Sequence, residues 1–324
     1  MPLTTASKVL KQSAWLHRFA ALTAACTWIL IWAGGLVTST ESGLAVPDWP
    51  LSYGRLMPPM VGGIFYEHGH RMVATFVGLL TTILAVWLWR AEPRRWMRRL
   101  GLVALVMVIT QGVLGGITVI YLLPTPVSVS HATLAQTFFC LIVFLAFATS
   151  GEWRQATKER DHAQPPLRVV AGIAAVAVYL QLILGATVRH TGAALAIPDF
   201  PLAFGAWIPP FESLSVAVHF SHRVFALVVT GALAWLVARI WIRHRDDRRL
   251  TRPAMMVAAL VLLQIVLGGT IVWTSRAVFP ATAHVANGAL LLATTWLITL
   301  RASIHYVPRL AVGVAPAAVA GSRS

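Results

Sequence analysis

Ionisable residues cluster near the start of an otherwise apolar run of the chain. The cluster spans residues 66–71 (YEHGHR), and the apolar run continues to Arg90. Ionisable side chains inside a membrane segment are costly and usually serve a function. A second cluster, residues 218–223 (VHFSHR), follows 152 positions later. Both contain a His-Arg pair, so the sequence offers two places where imidazole could bind a metal or move a proton.

Four histidines occupy matched positions near the external ends of predicted spans: His70, His131, His222 and His284. Because a helix rises 1.5 Å per residue, His70 and His131 differ in depth by only a few Å, and the other two repeat this. Paired imidazoles on facing helices of a bundle are what a six-coordinate haem requires. Another metal, since imidazole also suits zinc or copper, or a proton relay is the alternative.

Glu67 distinguishes the two clusters, because His219 occupies the aligned position in the second one. Glu67 precedes His70 by three residues, so the two side chains share a helix face. A carboxylate beside a haem can accept protons or stabilise a developing cation. The alternative is a membrane-edge acid paired with Arg71 or a backbone donor. His68 points to a different face, and we assign it no role.

Arginines follow two of the candidate ligands directly, Arg71 after His70 and Arg223 after His222. Guanidinium binds carboxylates through two parallel hydrogen bonds, so both arginines are candidate partners of haem propionates. The alternative is a contact within the protein or with a lipid headgroup. Small residues beside the four histidines leave room for a flat macrocycle or serve helix packing: Gly69, Ala132, Ser221 and Ala283.

The composition predicts an all-α integral membrane protein. Of 324 residues, 57% are hydrophobic and only 11% are charged, which lies outside the range of soluble proteins. Eight apolar segments are long enough to cross a bilayer as helices. They are residues 16–38, 64–90, 100–122, 129–149, 168–189, 215–242, 254–275 and 281–300.

The net charge of +15 indicates membrane topology and not a nucleic-acid partner, because the basic residues fall on alternate loops. The opposite loops contain only Arg55, Arg189 and Arg276, whereas Arg309 and Arg323 follow the eighth span. Basic loops remain in the cytoplasm, which predicts that both termini are cytoplasmic. We expect a multi-pass protein of a prokaryotic inner membrane, with anionic lipid as a partner.

The chain contains an internal duplication. Residues 34–54 (GGLVTSTESGLAVPDWPLSYG) align without gaps to residues 185–205 (GATVRHTGAALAIPDFPLAFG). Four spans in each half give both repeats the same orientation. We therefore predict two tandem four-helix bundles, over residues 1–155 and 156–324, joined by the polar stretch 150–167. The Pro-Asp-aromatic-Pro loop of each repeat is interpreted as a rigid interfacial loop, a lid over a ligand, or both.

The remaining histidines and the cysteines carry no predicted chemistry. His17, His162, His244 and His305 lie in charged loops or beside the terminal spans, and we interpret them as ordinary solvated or interfacial residues. Cys26 and Cys140 lie inside predicted spans and are interpreted as small buried hydrophobes, so no external disulfide is expected. The first span is expected to insert without cleavage.

The loop motif and the histidine placement together resemble the haem A synthase family over nearly the whole chain. The similar features are the Gly-Leu-Val-Thr end of the first span, the Ser-Gly-Leu-Ala-x-Pro-Asp-Trp-Pro-Leu loop, Glu67-x-x-His70-Arg71, His131, His222-Arg223 and His284. The resemblance implies a haem b cofactor between His222 and His284. It also implies that His70 and His131 hold haem O, whose C8 methyl group is oxidised to a formyl group by successive hydroxylations, with Glu67 as the catalytic carboxylate.

One departure from the family concerns cysteine. Many bacterial relatives have a cysteine pair in the first external loop, but residues 41–49 and 193–200 contain none. The chain thus matches the cysteine-free subset, which puts thiol-based electron delivery in doubt and leaves the electron donor unknown. The resemblance implies haem O synthase and terminal-oxidase assembly factors as partners. The competing hypotheses are a non-enzymatic di-haem cytochrome and a haem carrier for oxidase assembly.

Overall fold

Eight long helices confirm the predicted all-α membrane fold. The computed structural model describes residues 2–156, 158–161 and 163–308. Within them, eight helices are long and apolar enough to span a membrane. The helices are α1 (Pro2–Ser39), α2 (Gly62–Ala91), α3 (Arg95–Ile120), α4 (Thr125–Ala148), α5 (Gly151–Arg154), α6 (Leu167–His190), α7 (Leu214–Arg243), α8 (Arg248–Trp273) and α9 (Val278–His305). Only α5 is too short to span.

The predicted spans agree with the helices to within a few residues at most ends. The largest difference is at α1, which begins at Pro2, well ahead of the predicted position 16. The helices α3 and α8 begin at Arg95 and Arg248, ahead of the predicted positions 100 and 254. Apolar composition marks only the hydrocarbon core, whereas a helix can continue into the headgroup region. Three residues mentioned above, His162, Arg309 and Arg323, lie outside the described residues.

Helices of each half pack in a closed ring. In the first half α1 contacts α2, α2 contacts α3, α3 contacts α4, and α4 returns to α1. The helices α6, α7, α8 and α9 form the same ring in the second half. Each ring encloses its own cluster of buried apolar side chains. This packing is what two four-helix bundles would give, while the unit bounds 1–155 and 156–324 stay a prediction.

The two rings also share an interface, and α9 is its most buried element. In the apolar stretch of α9, 67% of the residues are buried inside the protein. The corresponding share is 17% for α3 and for α8, which are peripheral. Indole N–H groups tie the halves together: Trp28 donates to Ala286 O at 2.9 Å, and Trp296 donates to Cys140 O at 3.1 Å. The two rings are therefore in direct contact.

Described residues of the connection between the halves form defined contacts, where the sequence predicted only a polar linker. Strand β1 (Glu159–Asp161) pairs in parallel with β2 (Tyr306–Pro308). Glu152 of α5 accepts two hydrogen bonds from Arg301, each of 2.8 Å. His305 is buried beside the same carboxylate, so of its two interpretations, solvated or interfacial, the solvated one is wrong.

Candidate functional site

The Pro-Asp-aromatic-Pro loops of the two repeats, predicted to be external, have the same backbone structure. In each loop an aspartate accepts hydrogen bonds from the backbone N–H groups five and six residues later. The bonds are Asp48 with Tyr53 (2.6 Å) and Gly54 (2.8 Å), and Asp199 with Phe204 (2.7 Å) and Gly205 (2.8 Å). These N–H groups, Gly54 and Gly205 foremost, hold the pKa of each aspartate below its usual range. Both glycines have a positive φ, which suits this tight turn.

The loop aromatics pack against glycines of neighbouring helices. A Cβ at Gly116 of α3 would lie 2.6 Å from the Trp49 ring, and one at Gly269 of α8 would lie 3.0 Å from the Phe200 ring. Glycine is therefore required for the close approach of each loop to its bundle. Gly115-Gly116 and Gly268-Gly269 are matched pairs in the two halves, and the second glycine of each pair contacts the loop aromatic.

Arg71 and Arg223 bind the loops. Arg71 Nη1 donates to the carbonyls of Asp48 and Leu51, each at 2.8 Å. Arg223 donates to the carbonyls of Leu202 at 2.9 Å and Ile197 at 3.2 Å. Both arginines therefore make contacts within the protein, which was one of the alternatives to a haem propionate. Their predicted contact with haem propionates stays a prediction and gains no support from this geometry.

Glu67 and His219 contact equivalent partners in the two halves, a backbone N–H group of the loop and an arginine. Glu67 is buried, accepts a hydrogen bond from Val46 N at 2.7 Å, and pairs with Arg71 at 2.7 Å. His219 takes the corresponding hydrogen bond from Ile197 N at 3.3 Å, and its Nε2 meets Arg223 Nε at 3.2 Å. The pairing of Glu67 with Arg71 and a backbone donor, which was the alternative to catalysis, is therefore present.

His68 takes part in a second difference between the halves. It is buried, its Nδ1 lies 2.8 Å from Ser52 Oγ, and its Nε2 has no hydrogen-bond partner among the described residues. Phe220 and Ala203 occupy the aligned positions of the second half. The contact between His68 and Ser52 therefore exists only in the first half of the described chain. In the sequence, its only sign is that Phe220 and Ala203 replace the two residues in the second half.

Each candidate ligand packs edge-on against a glycine of the preceding helix. A Cβ at any of the four glycines would lie within 3.1 to 3.3 Å of an imidazole Cε1. The pairs are Gly34 with His70, Gly115 with His131, Gly185 with His222 and Gly268 with His284. The four histidines thus have one local arrangement, and glycine gives each imidazole its place on the inner wall of a bundle.

The helices that bear the two histidines of each half lie opposite each other in its ring. In the first half α2 with His70 and α4 with His131 both pack against α1 and α3, and in the second half α7 with His222 and α9 with His284 both pack against α6 and α8. Glutamine amides fix the backbone of three of these residues: Gln111 binds His131 O at 2.9 Å, Gln181 binds His222 O at 2.9 Å and Gln264 binds His284 O at 3.1 Å.

The donor set fits a haem better than a bare metal ion. The Nδ1 atoms of His70, His131 and His284 are buried and have no hydrogen-bond partner among the described residues. Within the same part of the chain, no three His, Cys, Asp or Glu side chains form a group that could hold a metal ion. A metal inside a macrocycle needs only its two axial ligands from the protein, and each half has two imidazoles.

The last turn of α6 brings two residues to the sites that the sequence analysis did not select. Arg189 follows Gly185, the glycine that contacts His222, by four residues, and His190 is the next residue. Both residues lie where the two halves meet, since Thr125 of α4 donates to His190 O at 3.1 Å. Their aligned counterparts are Thr38 and Ser39. This difference between the repeats is the sequence signal that could have identified Arg189 and His190.

Comparison with known proteins assigns the family. A family model described as COX15-CtaA, cytochrome oxidase assembly protein, matches residues 61–296, which include all four histidines, Glu67 and Arg71. The chain belongs to the COX15-CtaA family. Residues 61–296 extend from the start of α2 into α9, so the membership covers both halves of the protein.

Relatives in this family align over most of their length. A protein of Halalkalibacterium halodurans named "Heme A synthase" is 33% identical over 302 residues, which cover 88% of this chain and 97% of the relative. Proteins of the same name from Symbiobacterium thermophilum and Shouchella clausii are 33% and 30% identical, over 76% and 81% of this chain and 82% and 88% of those relatives.

Proposed function

We propose that this protein is a haem A synthase. In this proposal His70 and His131 hold haem O as the substrate, and His222 and His284 hold a haem b cofactor. The C8 methyl group of haem O is oxidised to a formyl group. The family membership and the names of the relatives support an enzyme of haem A formation.

The observation that carries the proposal is a duplicated pair of imidazole sites with a carboxylate in only one of them. All four imidazoles have the same contact with glycine. Glu67, three residues from His70, is replaced by His219 in the second half. A protein that only passes electrons between two similar haems would not need this difference. The first half is therefore the reactive one, and the second is the electron-carrying one.

Residues of the first half position the substrate. Gly34 and Gly115 keep His70 and His131 against the bundle wall, and Gln111 fixes the backbone at His131. Trp49 of the external loop packs on Gly116, next to the glycine that contacts His131. The loop therefore closes the external side of the bundle at the substrate, where it excludes water.

Glu67 is the candidate catalytic group. Its Oε2 accepts the Val46 N–H and its Oε1 accepts an N–H of Arg71, so the carboxylate is held in one orientation at the edge of the site. A fixed carboxylate can take up a proton or stabilise a methyl-derived cation, and general acid–base catalysis typically contributes about 10²- to 10⁴-fold in rate. Each of two successive hydroxylations would replace a C–H bond of the methyl group by a C–OH bond and pass two electrons to an external oxidant. The resulting gem-diol loses water to give the formyl group.

Residues of the second half hold the cofactor. When bound between His222 and His284, haem b supplies one-electron redox chemistry. Gln181 binds the backbone of His222, whereas Leu30 occupies the aligned position of the first half. His222 is thus held by a hydrogen bond that His70 lacks among the described residues, as suits a permanent cofactor compared with a substrate that must leave.

The proposed setting follows the family. We place the protein in a prokaryotic cell membrane with both termini in the cytoplasm, since the basic loops alternate with the external ones. Haem O synthase would supply the substrate, and assembly factors of the terminal oxidase would receive the product. The electron donor is a further partner whose chemistry the sites do not specify.

The test is haem extraction and chromatography after expression in cells that make haem O. We expect haem A or its hydroxylated precursor from the wild-type protein. The Glu67→Ala variant is expected to retain haem b and to form neither product. Unchanged haem O together with two permanent haem b groups in the wild-type protein would contradict the proposal.

A di-haem electron-transfer cytochrome is the second candidate, and one observation favours it. Glu67 and His219 make equivalent contacts, so the carboxylate has a structural role that needs no catalysis. In a cytochrome, Glu67→His would leave the function intact because imidazole fills the same place in the second half. In a haem A synthase the same substitution would abolish product formation.

A further inference from the structure

Arg189 in the last turn of α6 is a cation at the contact between the two halves. The aligned residue of the first half is Thr38, whose hydroxyl donates to Gly34 O within its own helix at 3.2 Å. Arg189 instead reaches across to α1, where its Nη2 donates to Gly35 O at 2.7 Å and to Ser39 Oγ at 2.8 Å. The second half therefore has a cation that the first half lacks.

One end of the guanidinium is fixed and the other is free to bind. Both N–H groups of Nη2 are used by α1, and Ser39 Oγ is itself held by a hydrogen bond from Thr282 Oγ1 at 3.0 Å. In the described part of the chain, Nε and Nη1 of Arg189 form no hydrogen bond. A carboxylate approaching Nη1 would thus find donors already in position, at little cost in side-chain entropy.

The position of Arg189 along α6 brings it close to the site of the second half. Arg189 follows Gly185 by four residues, so it lies on the α6 face that contacts His222, one turn closer to the predicted external side. Arg189 therefore lies beside the end of the site that His222 helps to form.

The charge of Arg189 has no anionic partner among the described residues, since none of their ion pairs includes it. A half-buried cation without a counter-ion is costly. The arginines first considered as carboxylate partners, Arg71 and Arg223, use their N–H groups on loop carbonyls. Arg189 is left as the donor with spare capacity.

We propose that Arg189 binds a carboxylate of the tetrapyrrole held between His222 and His284. This rests on the part of the proposed function that places haem in the second half. The contact places a positive charge at the external end of the site. Through its hydrogen bonds to Ser39 and Gly35, Arg189 also connects the cofactor to α1, the helix whose Gly34 contacts His70. Arg189 is thereby a cofactor-binding residue that also links the two sites.

The test compares protohaem with its dimethyl ester, which lacks both carboxylates. The full-length chain is purified in detergent from haem-deficient cells, in a His70→Ala background that removes one ligand of the other site. The low-spin spectrum is then titrated with each compound. We expect the Arg189 protein to prefer protohaem by at least about tenfold, the value of one charge-assisted hydrogen bond. Arg189→Gln should reduce that preference to near unity.

Ser39→Ala is the matched control, because it removes one contact of Arg189 with α1 and leaves the charge. We expect this variant to keep the preference for protohaem. If Arg189→Gln does not accumulate as folded protein, Arg189→Lys replaces it. A lysine has a single nitrogen to serve both α1 and a carboxylate, so a reduced preference is expected.

Two outcomes contradict the proposed carboxylate contact, and a third shows that the haem assignment of the second half is wrong. An unreduced preference in Arg189→Gln, or in Arg189→Lys where it is the variant used, contradicts the carboxylate contact, as does equal binding of the two compounds by the Arg189 protein. If neither compound gives a low-spin spectrum that depends on His222 and His284, the haem assignment of the second half has failed instead, and the proposal falls with it.

Discussion

Glu67 and His219 hold equivalent backbone hydrogen bonds in the two halves of the protein. The carboxylate accepts the N–H of Val46 at 2.7 Å, and the imidazole accepts the N–H of Ile197 at 3.3 Å. Each also contacts the arginine four residues later. Glu67 therefore has a structural role that an imidazole can fill, and its chemical role must be tested with the structural role preserved.

The exchange Glu67→His separates these two roles. Histidine can accept the Val46 N–H as His219 accepts that of Ile197, so we expect the loop and the haem content to be retained. Product formation should fall by about 100-fold or more, since the carboxylate is lost. The measurement is haem A per protein, by extraction and chromatography.

Two further variants control that experiment. His219→Glu places a carboxylate in the second half and should leave haem A formation in the first half nearly unchanged. Glu67→Ala leaves Arg71 without its buried partner, which costs about 3–5 kcal/mol, so lower stability is expected there and not in Glu67→His. Undiminished haem A formation by Glu67→His would show that the carboxylate is only structural.

A methyl group at Gly185 is expected to disturb the ligand it contacts. The added Cβ would lie 3.1 Å from His222 Cε1, and overpacking of this kind costs about 1–3 kcal/mol. Gly185→Ala should therefore weaken or abolish the low-spin haem spectrum. Gly172→Ala on the same helix is the control, since its Cβ would have no neighbour within 4 Å. Identical spectra for the two variants would mean that the glycine contact does not position the ligand.

Gly116 should control the seating of the external loop. An added Cβ would lie 2.6 Å from the Trp49 ring, and a rigid ring can avoid it only if the loop moves. Gly116→Ala is expected to increase amide hydrogen exchange in residues 46–55 by about tenfold or more. Gly112→Ala, with no neighbour within 4 Å, should leave exchange unchanged. Equal protection in both variants would contradict this role.

Acid should release the external loops. The pKa of Asp48 is lowered from 3.8, first by the Gly54 N–H and also by the Tyr53 N–H and the charge of Arg71. A lowered folded-state pKa means that this stabilisation is fully present above the unfolded value of 3.8 and is lost as the pH falls through the folded value. Exchange of the Tyr53 and Gly54 amides should rise below that pH in the wild-type protein.

Asp48→Asn is the control for the acid experiment. Its amide does not titrate, so exchange at these two amides should be faster than in the wild-type protein at neutral pH and should not show the additional acid step. An acid step of the same size in Asp48→Asn would mean that another group governs the loop.

The sequence predicted the helices well because lipid permits few alternatives. Backbone groups in a bilayer must be satisfied within a helix, so an apolar stretch of sufficient length determines both type and approximate limits. The duplication then predicted that His70, His131, His222 and His284 would lie at matched positions. Their common contact with glycine is what such a repeat requires.

The roles of polar side chains were harder to predict, because hydrogen-bond direction depends on three-dimensional neighbours. Arg71 and Arg223 follow ligand candidates in the sequence, yet their N–H groups point to loop carbonyls. Arg189 lies in the last turn of α6 and belongs to no motif, and its hydrogen bond to Gly35 O of α1 depends on how the two halves meet.

The absorption spectrum and extracted haem of four single variants test the central claim most directly. We expect His222→Ala and His284→Ala to lose the low-spin haem b spectrum. His70→Ala and His131→Ala should keep that spectrum and fail to retain or convert haem O. A low-spin haem b spectrum that survives both His222→Ala and His284→Ala would contradict the account, because the cofactor would then be held elsewhere.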